Sequence, residues 1–143
     1  MKTRIAIAGA GYIGLAHIRA AQASPTCALS AIVDPSPEAA KTAAGAGVPL
    51  FKSLDELLER DRPDGIILAT PNQLHVAQAL QCVVAGMPIL LEKPIAPTVA
   101  EAEQLLESID KERAKVLIGH HARTARSWRR QRRSSLQAYW AGW

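Results

Sequence analysis

The amino-acid sequence predicts an α/β fold with a doubly wound parallel sheet, and three observations carry this prediction. Strand-like and helix-like segments alternate along residues 1–121 with short connections, as in successive βαβ units. The strand-like segments are continuous apolar runs, such as GIILA at residues 65–69, which is typical of a sheet covered on both faces. The first strand passes into a helix through the glycine-rich segment GAGYIG at residues 9–14.

The individual elements follow from hydrophobic periodicity and from the residues that bound each segment. Strands are predicted over residues 4–8, 28–33, 65–69, 89–91 and 115–119, with a weaker candidate at 50–51. Helices are predicted over residues 12–23, 37–44, 54–60, 73–85 and 99–112. Ser53 with Glu56, and Thr98 with Glu101, fit the capping box, in which side chains satisfy free backbone N–H groups of the first turn.

Composition separates a domain at residues 1–121 from a basic tail at 122–143. The domain holds eleven Lys and Arg against thirteen Asp and Glu, whereas the tail adds six arginines, no acid and all three tryptophans. The absence of a long apolar run or a secretory leader predicts a cytoplasmic protein without a membrane span. Cys27 and Cys82 lack metal-ligand spacing and are expected to be small buried apolar side chains.

The glycine-rich segment is a G-x-G-x-x-G between a predicted strand and a predicted helix, the context of a dinucleotide-binding Rossmann fold. Gly9 permits the tight turn, Gly11 lets a pyrophosphate approach the backbone, and Gly14 lets the helix pack close to the sheet. The helix N-terminus offers N–H groups and a partial positive charge to the phosphates. The alternative is a tight turn without a ligand.

The second strand is followed by Asp34, twenty residues after Gly14. A carboxylate there can accept both hydroxyls of an adenosine ribose and would repel a 2′-phosphate, so the sequence favours NAD over NADP. An incidental Asp is the alternative.

Two further groups of polar residues follow strands at the edge where parallel sheets bind ligands. The first is Thr70-Pro71-Asn72 with His75 one helical turn later. Asn72 is equally suited to capping the following helix or to contacting a ligand, and His75 has the alternative of a partly exposed surface histidine.

The second group is Glu92-Lys93-Pro94, in which a carboxylate and a rigid proline flank a lysine. The Lys93 ammonium could hydrogen-bond a substrate hydroxyl and help carry its proton as hydride leaves. A Glu–Lys pair on a loop is the alternative. His120 and His121 are adjacent and point to different sides, so no metal site is predicted.

Together these stretches resemble the Gfo/Idh/MocA family of glucose-fructose oxidoreductases and inositol dehydrogenases. GAGYIG, VDPSPEAA, ATPNQLHVAQAL, LLEKPIAPTVAEAEQLL and LIGHH match in order and spacing over residues 3–121, and EKP is the most specific element. The resemblance implies NAD as cofactor and hydride transfer between C4 of the nicotinamide and a sugar, cyclitol or related polyol.

The resemblance also implies roles for the site residues. Residues 9–14, with Tyr12 and Ile13 among them, and Asp34 would bind the NAD adenosine and pyrophosphate. The ribose and nicotinamide region would be lined by Thr70, Pro71, Asn72 and His75. The segment Glu92-Lys93-Pro94 would lie at the cofactor, with Lys93 contacting the nicotinamide and the reacting hydroxyl.

The family carries a second α/β domain that supplies most substrate contacts, and we expect that domain to be absent here. The resemblance then implies a chain that is inactive alone and that self-associates through the exposed sheet face. The alternative is a stand-alone NAD-binding or sensing module that acts through a partner chain.

The tail at residues 122–143 has the composition of a shifted reading frame. Codon choices exist for which the tail, regrouped by one base, encodes an amphipathic helix ending at glycine, so a frameshift near His121 and a non-native tail are expected. The competing interpretation is a basic tail that binds nucleic acid through arginines and stacked tryptophans. No nucleic-acid-binding module surrounds it, so no nucleic-acid partner is predicted.

Overall fold

The structure, a computed structural model, describes residues 1–119. Its strands are β1 (Thr3–Ala8), β2 (Cys27–Val33), β3 (Leu50–Phe51), β4 (Gly65–Leu68), β5 (Ile89–Glu92) and β6 (Val116–Gly119). Its helices are α1 (Tyr12–Ala23), α2 (Ala39–Ala46), α3 (Leu54–Arg60), α4 (Asn72–Val84) and α5 (Val99–Glu112). The predicted tail, with His120 and His121, lies outside the described residues.

All strand pairs are parallel, and the sheet order is β3-β2-β1-β4-β5-β6. The chain therefore builds outward from β1 in one direction and then, from β4, in the other. This is the doubly wound Rossmann topology, and it confirms the predicted fold class. The crevice in which such sheets bind ligands opens where the order reverses, between β1 and β4.

Alternate residues of the central strands bury opposite faces of the sheet. Ile5 and Ile7 pack with Ile18 of α1 and Ala43 of α2 on one face. On the other face, small and branched residues of the same strands pack against α3, α4 and α5, which contribute residues such as Leu57, Ala79 and Leu105. Because both faces are covered, the strands read as continuous apolar runs in the sequence.

Local hydrogen bonds explain where the helices begin. The Glu56 N–H donates to Ser53 Oγ (3.2 Å) and the Glu101 N–H to Thr98 Oγ1 (3.3 Å), so both predicted N-caps are present. The Glu56 carboxylate, however, accepts from the backbone N–H of Lys52 (2.8 Å), one residue before the cap. The α3 cap therefore also fixes the backbone of Lys52.

The structure differs from the sequence predictions at α2 and at one cysteine. Residues 36–38 form a turn rather than helix, and α2 begins at Ala39, whose N–H donates to Ser36 O (3.3 Å). Cys82 is fully buried, and burial raises the pKa of its thiol to about 12. Cys27 is only half-buried, because it lies at the start of β2. Within residues 1–119 no helix is both long and apolar enough to cross a membrane.

Candidate functional site

The predicted site residues lie along one edge of the sheet, where the parallel strands end. At this edge the Gly9 N–H donates to Val33 O (2.8 Å), and the Ala69 N–H donates to Ala8 O (2.8 Å). The glycine-rich turn after β1 is thus held between the residue that ends β2 and the loop that follows β4. This position is the reversal point of the strand order.

The turn after β1 needs glycine at two positions for different reasons. Gly9 has φ +92°, a conformation that L side chains rarely adopt, and an added Cβ would lie 2.6 Å from Ala69 O. A Cβ on Gly14 would lie 1.8 Å from Gly9 O, so α1 packs directly on the backbone of the turn. Both glycines therefore shape the turn itself.

Gly11 is different, because a Cβ added there would meet no atom within 4 Å. Its backbone (φ −72°, ψ −166°) is extended, and it is the N-cap residue of α1 without a side-chain cap. The first turn of α1, which begins with Tyr12 and Ile13, carries no acidic residue. Open space above a bare backbone and uncapped N–H groups is what a pyrophosphate requires.

Asp34 is tied to both neighbouring segments by its carboxylate. Oδ2 accepts from the Ala10 N–H (2.7 Å), while Oδ1 accepts from the Ser36 N–H (2.8 Å) and Ser36 Oγ (2.6 Å). Burial alone would raise the pKa of Asp34, but hydrogen bonds from Ser36 and Ala10, with the nearby charge of Lys52, outweigh it and lower the pKa below its usual value.

Ser36 is a site residue that the sequence reasoning missed. The signal was the spacing Asp34-Pro35-Ser36, because an Asp side chain commonly accepts from the backbone N–H two residues later. A carboxylate offers about four lone-pair positions, and three are already used. In this arrangement Asp34 has room for one further hydroxyl, and the Ser36 hydroxyl can accept a second.

His75 is not a surface histidine: it is 1% exposed, on the buried face of α4. Its Nδ1 lies 2.7 Å from Pro94 O and its Nε2 lies 2.8 Å from Thr70 O. Carbonyl oxygens only accept, so a neutral ring donates to one of them and a protonated ring donates to both. His75 therefore joins the loop after β4 to the loop after β5.

The loop after β4 presents Pro71 and Asn72 at the start of α4. Pro71 is the N-cap residue and gives no side-chain cap, so the alternative in which Asn72 caps the helix is wrong. The Thr70 hydroxyl donates to Gln78 Oε1 (2.5 Å), which turns it toward α4. Exposed apolar side chains lie at the start of α1 and α4, where Tyr12 and Leu74 are 89% and 46% exposed.

A buried acid ends β5, and an exposed base follows it. Glu92 is 5% exposed, and its Oε1 lies 2.7 Å from Nε2 of His17 on α1, a partner that the sequence reasoning missed. Gly119 lies against the same carboxylate, with no room for a Cβ. Lys93 and Pro94 are exposed and are joined by a cis peptide bond.

The described residues therefore bring the predicted cofactor residues to one crevice, with backbone donors at its centre. The open space over Gly11 and the hydroxyl-accepting pair of Asp34 and Ser36 fit the pyrophosphate and ribose of a dinucleotide. No group of three or more His, Cys, Asp or Glu residues with metal-site geometry occurs within residues 1–119.

This fold and this edge define a dinucleotide-binding Rossmann domain. A family model described as the Gfo/Idh/MocA oxidoreductase family, NAD-binding Rossmann fold, matches residues 3–120, and the chain belongs to that family. The resemblance seen in the sequence motifs and the assignment of NAD as the cofactor are thereby confirmed.

The relatives match 89% and 73% of this chain but are much longer than the part that matches. The chain is 31% identical over 127 residues to the rhizopine catabolism protein MocA of Rhizobium meliloti. This match covers 89% of this chain and 38% of MocA. It is 39% identical over 106 residues to inositol 2-dehydrogenase of Leifsonia xyli subsp. xyli, and the match covers 73% of this chain and 31% of that enzyme. The chain thus spans about a third of the length of the curated relatives it matches.

Solved structures give the same result. The WlbA dehydrogenase of Bordetella pertussis, in complex with NADH and UDP-GlcNAcA, matches with a TM-score of 0.78 and 31% identity over 82% of this chain and 35% of that one. A putative myo-inositol dehydrogenase of Sinorhizobium meliloti matches with a TM-score of 0.77 and 27% identity over 82% of this chain and 36% of that one.

Proposed function

We propose that this chain is the NAD-binding half of an oxidoreductase that transfers hydride between a nicotinamide cofactor and a sugar, cyclitol or related polyol. The observation that carries the proposal is the turn after β1, whose open backbone at Gly11 lies beside the carboxylate of Asp34, which is bonded to Ala10. The named activities of the inositol dehydrogenases and of WlbA support the substrate class.

The cofactor residues would act in two groups. The backbone of residues 9–14 would hold the pyrophosphate, and Asp34 would accept a ribose hydroxyl, which favours NAD over NADP. The loop of Thr70, Pro71 and Asn72 would line the ribose and nicotinamide, while His75 holds that loop in place through Thr70 O (2.8 Å).

Lys93 would act on the substrate. When bound, NAD accepts or gives a hydride at C4 of its nicotinamide. The exposed amine of Lys93 would hydrogen-bond the reacting hydroxyl and take up or return its proton as the carbonyl forms or is reduced. Glu92, bonded to His17 (2.7 Å), would fix the backbone from which Lys93 projects.

We propose further that this chain alone does not turn over polyols and that it self-associates. The match to this chain covers only 38% and 31% of two of its relatives, and substrate orientation accounts for much of a hydride-transfer rate. Exposed Tyr12 and Leu74 beside the crevice give an apolar surface for a second copy to cover. The cytoplasm is the proposed location.

The experiment is a calorimetric titration of the purified chain with NAD and NADP, beside a dehydrogenase assay over a panel of polyols. We expect NAD to bind, Asp34→Ala to weaken that binding about tenfold or more, equivalent to at least about 1.4 kcal/mol, and the control Asp110→Ala to leave it unchanged. Asp110 is an exposed acid near the end of α5.

The outcomes separate the parts of the proposal. No heat of association with either dinucleotide would overturn it. Tight NAD binding without turnover agrees with it. The same result would also fit a stand-alone sensing module. Capture of a partner protein only in the presence of NAD would distinguish that module from half of an enzyme. Turnover by the chain alone would overturn the proposed inactivity, and Lys93→Ala should then abolish turnover while sparing NAD binding.

A further inference from the structure

The strand that borders the Asp34 edge places a positive charge beside that carboxylate. β2 and β3 are parallel neighbours with Val33 opposite Phe51, and the Asp34 N–H donates to Phe51 O (2.9 Å). Lys52, the residue directly after β3, therefore leaves the sheet side by side with Asp34. No sequence motif includes Lys52, because β3 is only two residues long.

The position of Lys52 is fixed rather than incidental. Its backbone N–H donates to Glu56 Oε2 (2.8 Å), and Glu56 is itself held by the Ser53 cap of α3. Its side chain is exposed at the edge of the crevice. The carboxylate of Glu56 also lies 3.2 Å from the guanidinium of Arg60, so the charge of Glu56 has a partner of its own.

Two opposite charges, those of Asp34 and Lys52, therefore lie beside the proposed ribose site. Asp34 contributes one negative charge and Lys52 one positive charge, and their interaction lowers the pKa of Asp34. A phosphate ester on the ribose 2′-hydroxyl would add a charge of roughly −1.5 to −2 beside Asp34 and Lys52. It would meet repulsion from Asp34 but attraction from Lys52, whose flexible side chain can reach over the crevice edge.

We propose that Lys52 is a second specificity-determining residue for the dinucleotide, one that offsets the charge of Asp34 and makes the site more tolerant of a 2′-phosphate. The inference rests on the proposed NAD-binding function. In that site Asp34 selects NAD by accepting a ribose hydroxyl, and Lys52 limits how strongly NADP is excluded. Removal of Lys52 sharpens the preference for NAD.

The test is a fluorescence titration with NADH and NADPH of the wild-type chain, Lys52→Met, Asp34→Asn and the double variant. Lys52→Met should leave the dissociation constant for NADH within about twofold and raise that for NADPH about tenfold at low salt. In the Asp34→Asn background, where NADPH binds more tightly, Lys52→Met should weaken NADPH binding by the same factor. The difference should shrink as salt is raised.

The matched control is Lys2→Met, which removes the same charge from an exposed lysine just before β1, at the opposite edge of the sheet. It should change neither titration. If Lys52→Met binds NADH but its ratio of NADPH to NADH affinity equals that of the wild type, this inference alone is overturned. That includes the case in which the variant loses affinity equally for both dinucleotides. Failure of the wild-type chain to bind either one would overturn the proposed function and this inference with it.

Discussion

Replacement of Gly11 by alanine is expected to separate ligand binding from folding at the turn after β1. The backbone of Gly11 (φ −72°, ψ −166°) is one that any L residue adopts, and the new Cβ would have no protein atom within 4 Å. The methyl group would instead occupy the space that the proposed pyrophosphate needs. The variant should therefore fold normally and bind NAD poorly.

The magnitudes follow from the space at each glycine. For Gly11→Ala the free energy of unfolding should change by no more than about 0.5 kcal/mol, as for an unstrained surface substitution. NAD affinity should fall at least about tenfold, equivalent to about 1.4 kcal/mol. In Gly14→Ala the Cβ would lie 1.8 Å from Gly9 O, and relieving that overlap should cost about 3 kcal/mol of stability.

The assay pairs urea unfolding with calorimetric titration by NAD for the wild-type chain and both variants. The wild-type unfolding curve should be nearly superimposable on that of Gly11→Ala and clearly displaced from that of Gly14→Ala. If Gly11→Ala binds NAD with wild-type affinity, the pyrophosphate does not lie over that backbone. If it unfolds as easily as Gly14→Ala, a Cβ at Gly11 does meet protein atoms.

Three further predictions concern Asp34, His75 and α5. Because folding lowers the pKa of Asp34, its ionised carboxylate stabilises the fold above the unfolded pKa of about 3.9. That contribution disappears as pH falls through the folded pKa, so the stability difference between wild type and Asp34→Asn should shrink below about pH 4 in urea titrations; a constant difference would contradict the shift. His75→Ala should lower the free energy of unfolding by about 3 kcal/mol, since it opens a cavity and removes the ring that contacts both carbonyls; a change under about 1 kcal/mol would rule out the bridging role. Leu105→Ala, at a fully buried position, should cost about 3 kcal/mol, whereas Leu106→Ala, at a 56% exposed one, should cost under about 0.5 kcal/mol; equal costs would show that α5 docks by another face.

The fold could be predicted from the sequence because its determinants are local and repeated. Apolar runs, short connections and glycine positions specify parallel strands covered on both faces, and the predicted bounds of α1, α3 and α5 match those in the structure. At the start of α2, where the bounds differ, a side chain has intervened. The Asp34 carboxylate holds Ser36 in a turn, so α2 begins two residues later than its composition suggests.

The contacts within the site depend on pairings between distant segments, which periodicity does not reveal. The partners of His75 are a carbonyl five residues before it and another nineteen residues after it. Glu92 reaches back to His17 over 75 residues. The motif residues themselves could be found from the sequence, because backbone geometry at the ends of parallel strands fixes their location.

The bond from the Asp34 carboxylate to the Ala10 N–H (2.7 Å) gives one side chain two tasks. The same oxygen atoms that would recognise the sugar also brace the peptide that cradles the phosphates. A redesign toward NADP that only removes this acid would therefore loosen the glycine-rich turn and weaken the binding of both NAD and NADP. Success would require a replacement acceptor for that peptide as well as a change of charge.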